Sequence, residues 1–303
     1  MPINTGSFPK LLYPGVRKWY GTEYAKYSPQ WPELFEKTTS SRAFEEEVGF
    51  SGLGLLQVKT EGGGINYDTA RQGFTVRYTP TVFALGFTIT REMYEDDQYG
   101  VIGKRKAEFL AFSAQQTKEI NGANVYNRAF SSSYVGGDGV AMISASHPNV
   151  SGGTQSNTPS TNANLSEAAL EQACIDIMGY TDDRGLRIAI KPQKLILPKD
   201  LMFEAERILK TDGRVGTANN DLNAIKVMGK FPGGVVVNQY LTSATAWFIR
   251  TDGKDGPKYV ERRGDEFDME NDFDTENAKF KVTGRYTFGW TDGLRSIYGA
   301  QGL

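Results

Sequence analysis

A chain of 303 residues with 39% hydrophobic and 23% charged residues is long enough for one large core or two lobes, which excludes wholesale disorder. Its 34 basic and 36 acidic residues leave a formal charge of -2, so net charge draws it neither to nucleic acid nor to an anionic membrane. The single cysteine, Cys174, excludes an intrachain disulfide, and no apolar run reaches the length of a membrane span or the apolar stretch of a secretory signal.

Residues 1–20 carry Lys10, Arg17 and Lys18 with no acidic residue, and Pro2, Gly6, Pro9, Pro14 and Gly15 break any periodicity, which predicts an extended arm. Trp19, Tyr20, Tyr24, Tyr27, Trp31 and Phe35 give that arm more sticky surface than a free tail carries, so it is expected to lie on another surface. A Gly-rich stretch follows, with Gly52, Gly54 and the triplet Gly62, Gly63 and Gly64. Phe74, Val76 and Tyr78 then alternate with polar residues, and beyond Pro80 so do Phe83, Leu85, Phe87 and Ile89. The pattern predicts a two-stranded excursion, too small to be stable by itself in water and in need of a surface to lie on.

After Thr90, a predicted N-cap, the period changes. Ile102, Phe109, Phe112, Ile120, Ala123 and Phe130 share an arc of roughly 80° on a helical wheel, which predicts one long amphipathic helix. Gly100, Gly103 and Gly122 oppose it, each costing about 1 kcal/mol against Ala in a helix interior. Residues 131–164 are rich in Ser, Gly, Asn and Thr and read as loop or hairpin. Two short helices are expected next, one starting near Asn164 or Ser166 and burying Leu170, Ala173, Cys174 and Ile177, the other starting near Asp200 with Leu201, Ala205, Ile208 and Leu209 on one side. Residues 194–197 read as a buried strand ended by Pro198, and further strands are expected at 235–237, 247–249 and in the closing run 279–298. Helix and strand do not alternate as a parallel sheet requires, so the fold class is α+β.

Little in the chain suggests chemistry. His147, the only histidine, follows Ser146 directly, and sequence neighbours rarely form a nucleophile and base pair, so it reads as a structural loop residue. Cys174 lies on an apolar helix face and reads as an inert core thiol. One His and one Cys cannot build a zinc site of the usual composition, and the glycine triplet lacks the Lys-Ser/Thr of a phosphate loop. The acidic run Asp265, Glu266, Asp268, Glu270, Asp272, Asp274 and Glu276 has calcium-loop spacing in part, but Phe273 stands where the turn needs Gly and Lys279 where the loop needs Glu. It is expected to form an acidic edge facing solvent or a neighbour, a weak shared cation site being the other reading. No catalytic residue, cofactor or metal site is expected.

Several stretches, in this order, resemble the major capsid proteins of tailed bacteriophages, the family with the Hong Kong ninety-seven-like fold: Ile143-Ser144-Ala145-Ser146-His147-Pro148-Asn149; Leu165-Ser166 with Ala169, Leu170 and Ala173; Lys194-Leu195-Ile196-Leu197-Pro198 with Leu201 and Ala205; Asn238-Gln239-Tyr240-Leu241 before Ala246-Trp247-Phe248-Ile249; and Gly284-Arg285-Tyr286 with Gly289-Trp290. Each stretch is unspecific; their collinearity over nearly the whole chain carries the likeness. The resemblance implies an N-terminal arm (1–50), an extended loop lapping a neighbouring subunit (51–90), a peripheral domain with a spine helix (91–145), an axial domain (146–262) and return strands of the peripheral domain (263–303). It also implies self-assembly as pentamers and hexamers into an icosahedral head enclosing double-stranded DNA, with no enzymatic activity and no sequence-specific DNA contact. A scaffolding protein, a portal protein and a decoration protein are the partners implied, and the virion, assembled in the host cytoplasm, is the location. Some members of the family carry a long helical scaffolding segment before the arm and none is visible here, so a separate scaffold or a processed chain is expected.

The intersubunit contacts expected are Trp19, Tyr20, Tyr24, Trp31 and Phe35 on the arm, Gly62, Gly63, Gly64, Ile65, Tyr67 and Phe74 on the loop, and Asp268 and Asp272 on the acidic edge. Two other functions compete. A cellular nanocompartment shell would have the same fold around an enzyme cargo, and a soluble hydrolase or sugar-binding protein would use the exposed aromatics. Against the hydrolase stands the lack of a nucleophile, base and metal set.

Overall fold

The computed structural model describes residues 13–96, 99–213, 222–272 and 277–302. Of the expected extended arm, residues 1–12 lie outside the described residues, and from Tyr13 the chain is not extended but forms helix α1 (Tyr13–Lys26). Pro14 sits in its first turn, where a missing N–H costs no intrahelical bond, and Val16 and Tyr20, four residues apart, are buried on one side. A 3₁₀ turn (Trp31–Glu33) with Pro32 in its first positions leads to strand β1 (Glu36–Thr39). Then come β2 (Glu45–Phe50), β3 (Gln72–Tyr78) and β4 (Thr81–Ile89). Thr90 caps the next turn as expected, its Oγ1 accepting from the Met93 N–H at 3.3 Å, and begins α2 (Arg91–Glu95).

Helix α3 (Tyr99–Asn127) has 29 residues, a span of roughly 43 Å. Its orientation differs from the expected one. Phe109 is 67% exposed, and Phe112 and Ile120 also face outward, while Ala107, Leu110, Ala111, Ala123 and Tyr126 are buried. The small residues decide this, because they let α1, the 3₁₀ turn and the sheet approach closely. A Cβ on Gly122 would lie 3.3 to 3.4 Å from Phe288, Phe35 and Trp31. The glycine that weakens the helix in isolation is the one that admits its neighbours. Phe130 is half-buried, packed against the aromatic cluster, and the side chain of Ile102 lies outside the described residues.

The region after α3 is loop with a small hairpin of β5 (His147–Pro148) and β6 (Thr154–Gln155). Helix α4 (Glu167–Met178) starts where its sequence signals put it. Ser166 is the N-cap, accepting from the Ala169 N–H, and Leu170, Ala173, Cys174 and Ile177 are buried. β7 (Pro192–Pro198), a 3₁₀ turn (Lys199–Leu201), α5 (Met202–Lys210) and α6 (Ala224–Met228) follow, with Ala205 and Ile208 buried. The chain ends in β8 (Val235–Asn238), β9 (Ala246–Thr251), β10 (Pro257–Asn271), β11 (Ala278–Trp290), α7 (Gly293–Ser296) and β12 (Ile297–Gln301).

Two four-stranded sheets organise these elements, in the orders β1-β10-β11-β4 and β12-β9-β7-β8. Two expectations change. β3 pairs with β2, and β4 pairs with β11 along its whole length from Thr81 to Ile89. The second half of the expected excursion is therefore part of the subunit's own sheet, held by Phe83 stacked on Tyr286 (centroids 4.6 Å apart) and Phe87 on Phe280 (5.0 Å). Pro80, which cannot donate to a ladder, separates the two strands. Only 51–71, between β2 and β3, leaves the body of the subunit. At the other end, β10 runs through the expected division at 262, and β12 closes the second sheet instead of returning to the first. Leu195 and Leu197 face α4, α5 and α6 on one side of that sheet, and Ile196 faces the first sheet on the other.

The acidic run is broken by irregular pairing. Register shifts in β10 between Glu261 and Glu266 turn Asp265 inward. There its carboxylate accepts from Tyr24 Oη at 2.8 Å and meets Lys118 Nζ at 2.9 Å, and both charged side chains are almost fully buried. Asp265 is thus a core residue, not part of a solvated edge. Opposite it, a side chain on Gly284 would collide with its carboxylate. Burial, and then the nearby Asp265 charge, push the phenols of Tyr20, Tyr24 and Tyr286 upward, so Tyr24 remains a neutral donor. The pair joins α1, α3 and β10. Removing one partner strands a buried charge, so Asp265→Ala is expected to cost about 3–5 kcal/mol of unfolding free energy. The double replacement Lys118→Met with Asp265→Leu is expected to cost less, and urea denaturation of the three proteins checks the order.

Candidate assembly interface

Among the arm aromatics, Tyr20, Trp31 and Phe35 are buried in the subunit itself. Trp31 stands 4.3 Å from Tyr259 between ring centroids, and Phe35 packs edge-on to Tyr126 (5.6 Å) and Phe288 (4.9 Å). Tyr24 is half-buried and spends its hydroxyl on Asp265; Trp19 is half-buried against the α1–α3 core. The surface this aromatic segment lies on is its own subunit. Tyr20, Trp31 and Phe35 are therefore withdrawn as intersubunit contacts.

The loop is the opposite case. Among its apolar side chains Leu56 is 100%, Val58 96% and Tyr67 93% exposed, with Leu53, Leu55 and Ile65 also facing solvent. Its tip turns at Gly62, which has φ +75°, and the Gly63 N–H donates to the Thr60 carbonyl at 3.0 Å. Gly64 has open space around it. Phe74 on β3 and Phe50 at the end of β2 extend the apolar surface down the ribbon. Leu53, Leu55, Leu56 and Val58 were missed because they follow neither helical nor strand periodicity. Their signal was composition: an apolar cluster set between glycines.

On β10, Asp268 lies opposite Lys281 with 3.7 Å between charges, and Asp272 pairs with Lys279. The carboxylates thus face cross-strand lysines instead of forming a purely acidic edge. Asp274 and Glu276 lie outside the described residues.

Among the described residues, the candidates for chemistry are engaged in the subunit's own structure. His147 is buried between Asp138 (2.6 Å from Nδ1) and Asn157 (3.2 Å from Nε2). Asn157 in turn reaches the carbonyls of Met142 and Gly293, so the pair holds a loop to the end of the chain. Burial pushes the Cys174 thiol up to about 11. Among the described residues no His, Cys, Asp and Glu side chains converge as metal ligands. A cleft of about 390 Å³ beside α3 and β11 is lined by Phe83, Asn124, Arg128, Tyr134, Phe288 and Trp290, with no nucleophile and base among them.

A family model described as phage capsid protein matches residues 73–298. The chain belongs to that family. No curated protein matches it in sequence. In structure the capsid protein is similar to the mature capsid of bacteriophage PhiM1, at TM-score 0.56 and 12% identity, covering 91% of this chain and 87% of that one. It is also similar to the procapsid of bacteriophage JBD30 (TM-score 0.53, 13% identity, 99% and 77% covered). A virus-like particle from Pyrococcus furiosus gives TM-score 0.50 and 9% identity, with 94% and 98% covered. The α+β fold is that of the Hong Kong ninety-seven-like capsids, and the role of the protein is structural. Fold likeness alone covers both phage heads and a virus-like particle; family membership selects the phage capsid.

The relocated surfaces separate by mutation. Phe35→Ala is expected to cost about 3–5 kcal/mol of subunit stability, the range for a buried aromatic. Val58→Asp on the loop is expected to stay within about 0.5 kcal/mol of the parent. Denaturation of both variants as unassembled subunits is the measurement; equal losses would put Val58 in the core.

Proposed function

We propose that the capsid protein assembles as pentamers and hexamers into the icosahedral head of a tailed phage, enclosing double-stranded DNA, and that residues 51–71 lap a neighbouring subunit. The observation that carries this is the exposed apolar surface of the loop, which the subunit leaves in water. Contiguous apolar surface of this kind marks an interaction site, and a second copy is the partner a shell supplies. The first sheet with α3 is the peripheral part on this reading. The second sheet with α4, α5 and α6 is the axial part around the symmetry axes. The lysine-paired carboxylates Asp268 and Asp272 lie on a charged face suited to setting register against a neighbour.

The protein turns over no substrate on this reading. Its net charge of -2 supports a shell that contains DNA without sequence-specific contact. A scaffolding protein, a portal protein and a decoration protein are the further partners proposed, on the family's pattern, with assembly in the host cytoplasm. Replacing residues 53–67 by a short Gly-Ser linker tests the role of the loop. The shortened protein is expected to be soluble and folded, because these side chains contribute nothing to the three hydrophobic clusters, and to form no closed shells by electron microscopy. Shells of normal size and heat resistance would overturn the clamp; an insoluble product would mean the loop belongs to the core.

A further inference from the structure

The apolar end of the loop is exposed, yet its base is fastened. The Asp68 carboxylate accepts from the backbone N–H of Gly54 (2.8 Å) on one side of the loop and of Thr69 (2.8 Å) on the other. The guanidinium of Arg184 grips the same carboxylate through both Nη atoms, and Nη2 also donates to the Thr69 carbonyl at 2.8 Å. Arg184 stands on the 181–187 turn, closed by a bridge between Thr181 and Arg187 and turned at Gly185 with φ +83°. That turn is itself rigidly held. Asp182 Oδ1 accepts from the N–H of Arg184 and Leu186, each at 2.8 Å. Arg295, just before β12, reaches Asp183 at 2.8 Å and the Thr181 carbonyl at 3.3 Å.

A continuous chain of contacts thus runs from the loop's two legs through Arg184 to the second sheet. Beyond the base, the loop's hydrogen bonds are internal, such as Gly63 N–H to the Thr60 carbonyl. Between the root at β2 and β3 and the free tip, this lateral fastening limits how the loop can swing. We infer that Arg184 is the positioning residue that sets the direction of the 51–71 loop relative to the second sheet, and through it the size of the shell. The forked contact suits this role, because a guanidinium bonded to a carboxylate and a carbonyl fixes an orientation that a point charge does not. The hydrogen bonds from the Arg184 guanidinium, and then from the Gly54 and Thr69 N–H groups, hold the Asp68 carboxyl well below the usual carboxylate range, so mild acid does not open the contact. The inference rests on the proposal that the loop is an assembly element.

A lysine-specific protease acting on the unassembled full-length protein reads the loop directly, at Lys59. Arg184→Ala is expected to raise cleavage after Lys59 by about fivefold, the scale of losing one well-formed exposed ion pair. Shells formed by this variant under the parent's conditions are expected to show a broadened diameter distribution. Arg184→Lys keeps the charge and loses the fork, so it is expected to raise cleavage as well. The Arg184→Ala subunit is expected to keep the parent's urea denaturation midpoint, because the contact lies on the surface, and a misfolded subunit would not do so. Unchanged cleavage in Arg184→Ala overturns the inference at the level of the subunit. Faster cleavage with shells of parental size overturns the steering role, provided that the Gly-Ser replacement of 53–67 abolishes shells. Normal shells from that replacement as well would mean that the loop's assembly role has failed, and the inference with it.

Discussion

Both sheets of the capsid protein are fastened to one aromatic cluster. Tyr259, Tyr286 and Phe288 enter it from the first sheet, Phe248 and Ile196 from the second, Tyr126 from the end of α3, and Trp31 and Phe35 from the segment after α1. Close packing of rings against each other leaves no freedom for one sheet to slide on the other without opening voids. The Leu34 carbonyl adds direction to this burial, accepting from Arg250 Nη1 at 2.7 Å and from Tyr126 Oη at 3.1 Å. The two sheets are in this sense one body. What the subunit can present to partners is whatever that cluster and the two others leave outside.

The apolar side chains of the loop at 51–71 stand outside all three clusters. The exposed Phe112 on α3, by contrast, packs on Tyr27. In the loop, leucines and valine extend from a backbone with no regular partner strand. The β2–β3 ribbon beneath it is anchored at its root by Glu47, whose carboxylate holds the buried Lys258 of β10 at 2.6 Å. A ribbon fixed at the root, fastened at Arg184 and apolar at the tip can reach a neighbour while keeping a defined direction. A shell built from one sequence in non-identical positions requires that combination.

Much of this was legible in the sequence, and the failures have physical causes. The Ser166 cap, the burial of Leu170, Ala173, Cys174 and Ile177, and the strand ended by Pro198 were readable because each rests on local signals that packing did not override. The arm from Tyr13 onward was misread because Pro14 and Gly15 suggested a break, whereas Pro in the first turn starts a helix. The orientation of α3 was misread because apolar periodicity marked the side of Phe109 and Ile120, while small residues chose the buried side. β4 looked like the return of a hairpin until β11, nearly two hundred residues later, claimed it. Asp265 was hidden by a bulge that no two-residue spacing reveals. The base of the loop was illegible for a similar reason: Asp68 and Arg184 are 116 residues apart and share no motif.

The central claim is that the 51–71 tip is open in the free subunit and covered in the shell. Cys174 is the only cysteine and is buried, so a single Val58→Cys replacement gives a thiol readable against a silent background. Maleimide labelling of that variant before and after assembly measures the claim directly. The account predicts rapid labelling of the free subunit and labelling slowed at least tenfold in closed shells. Equal rates in the two states would contradict it.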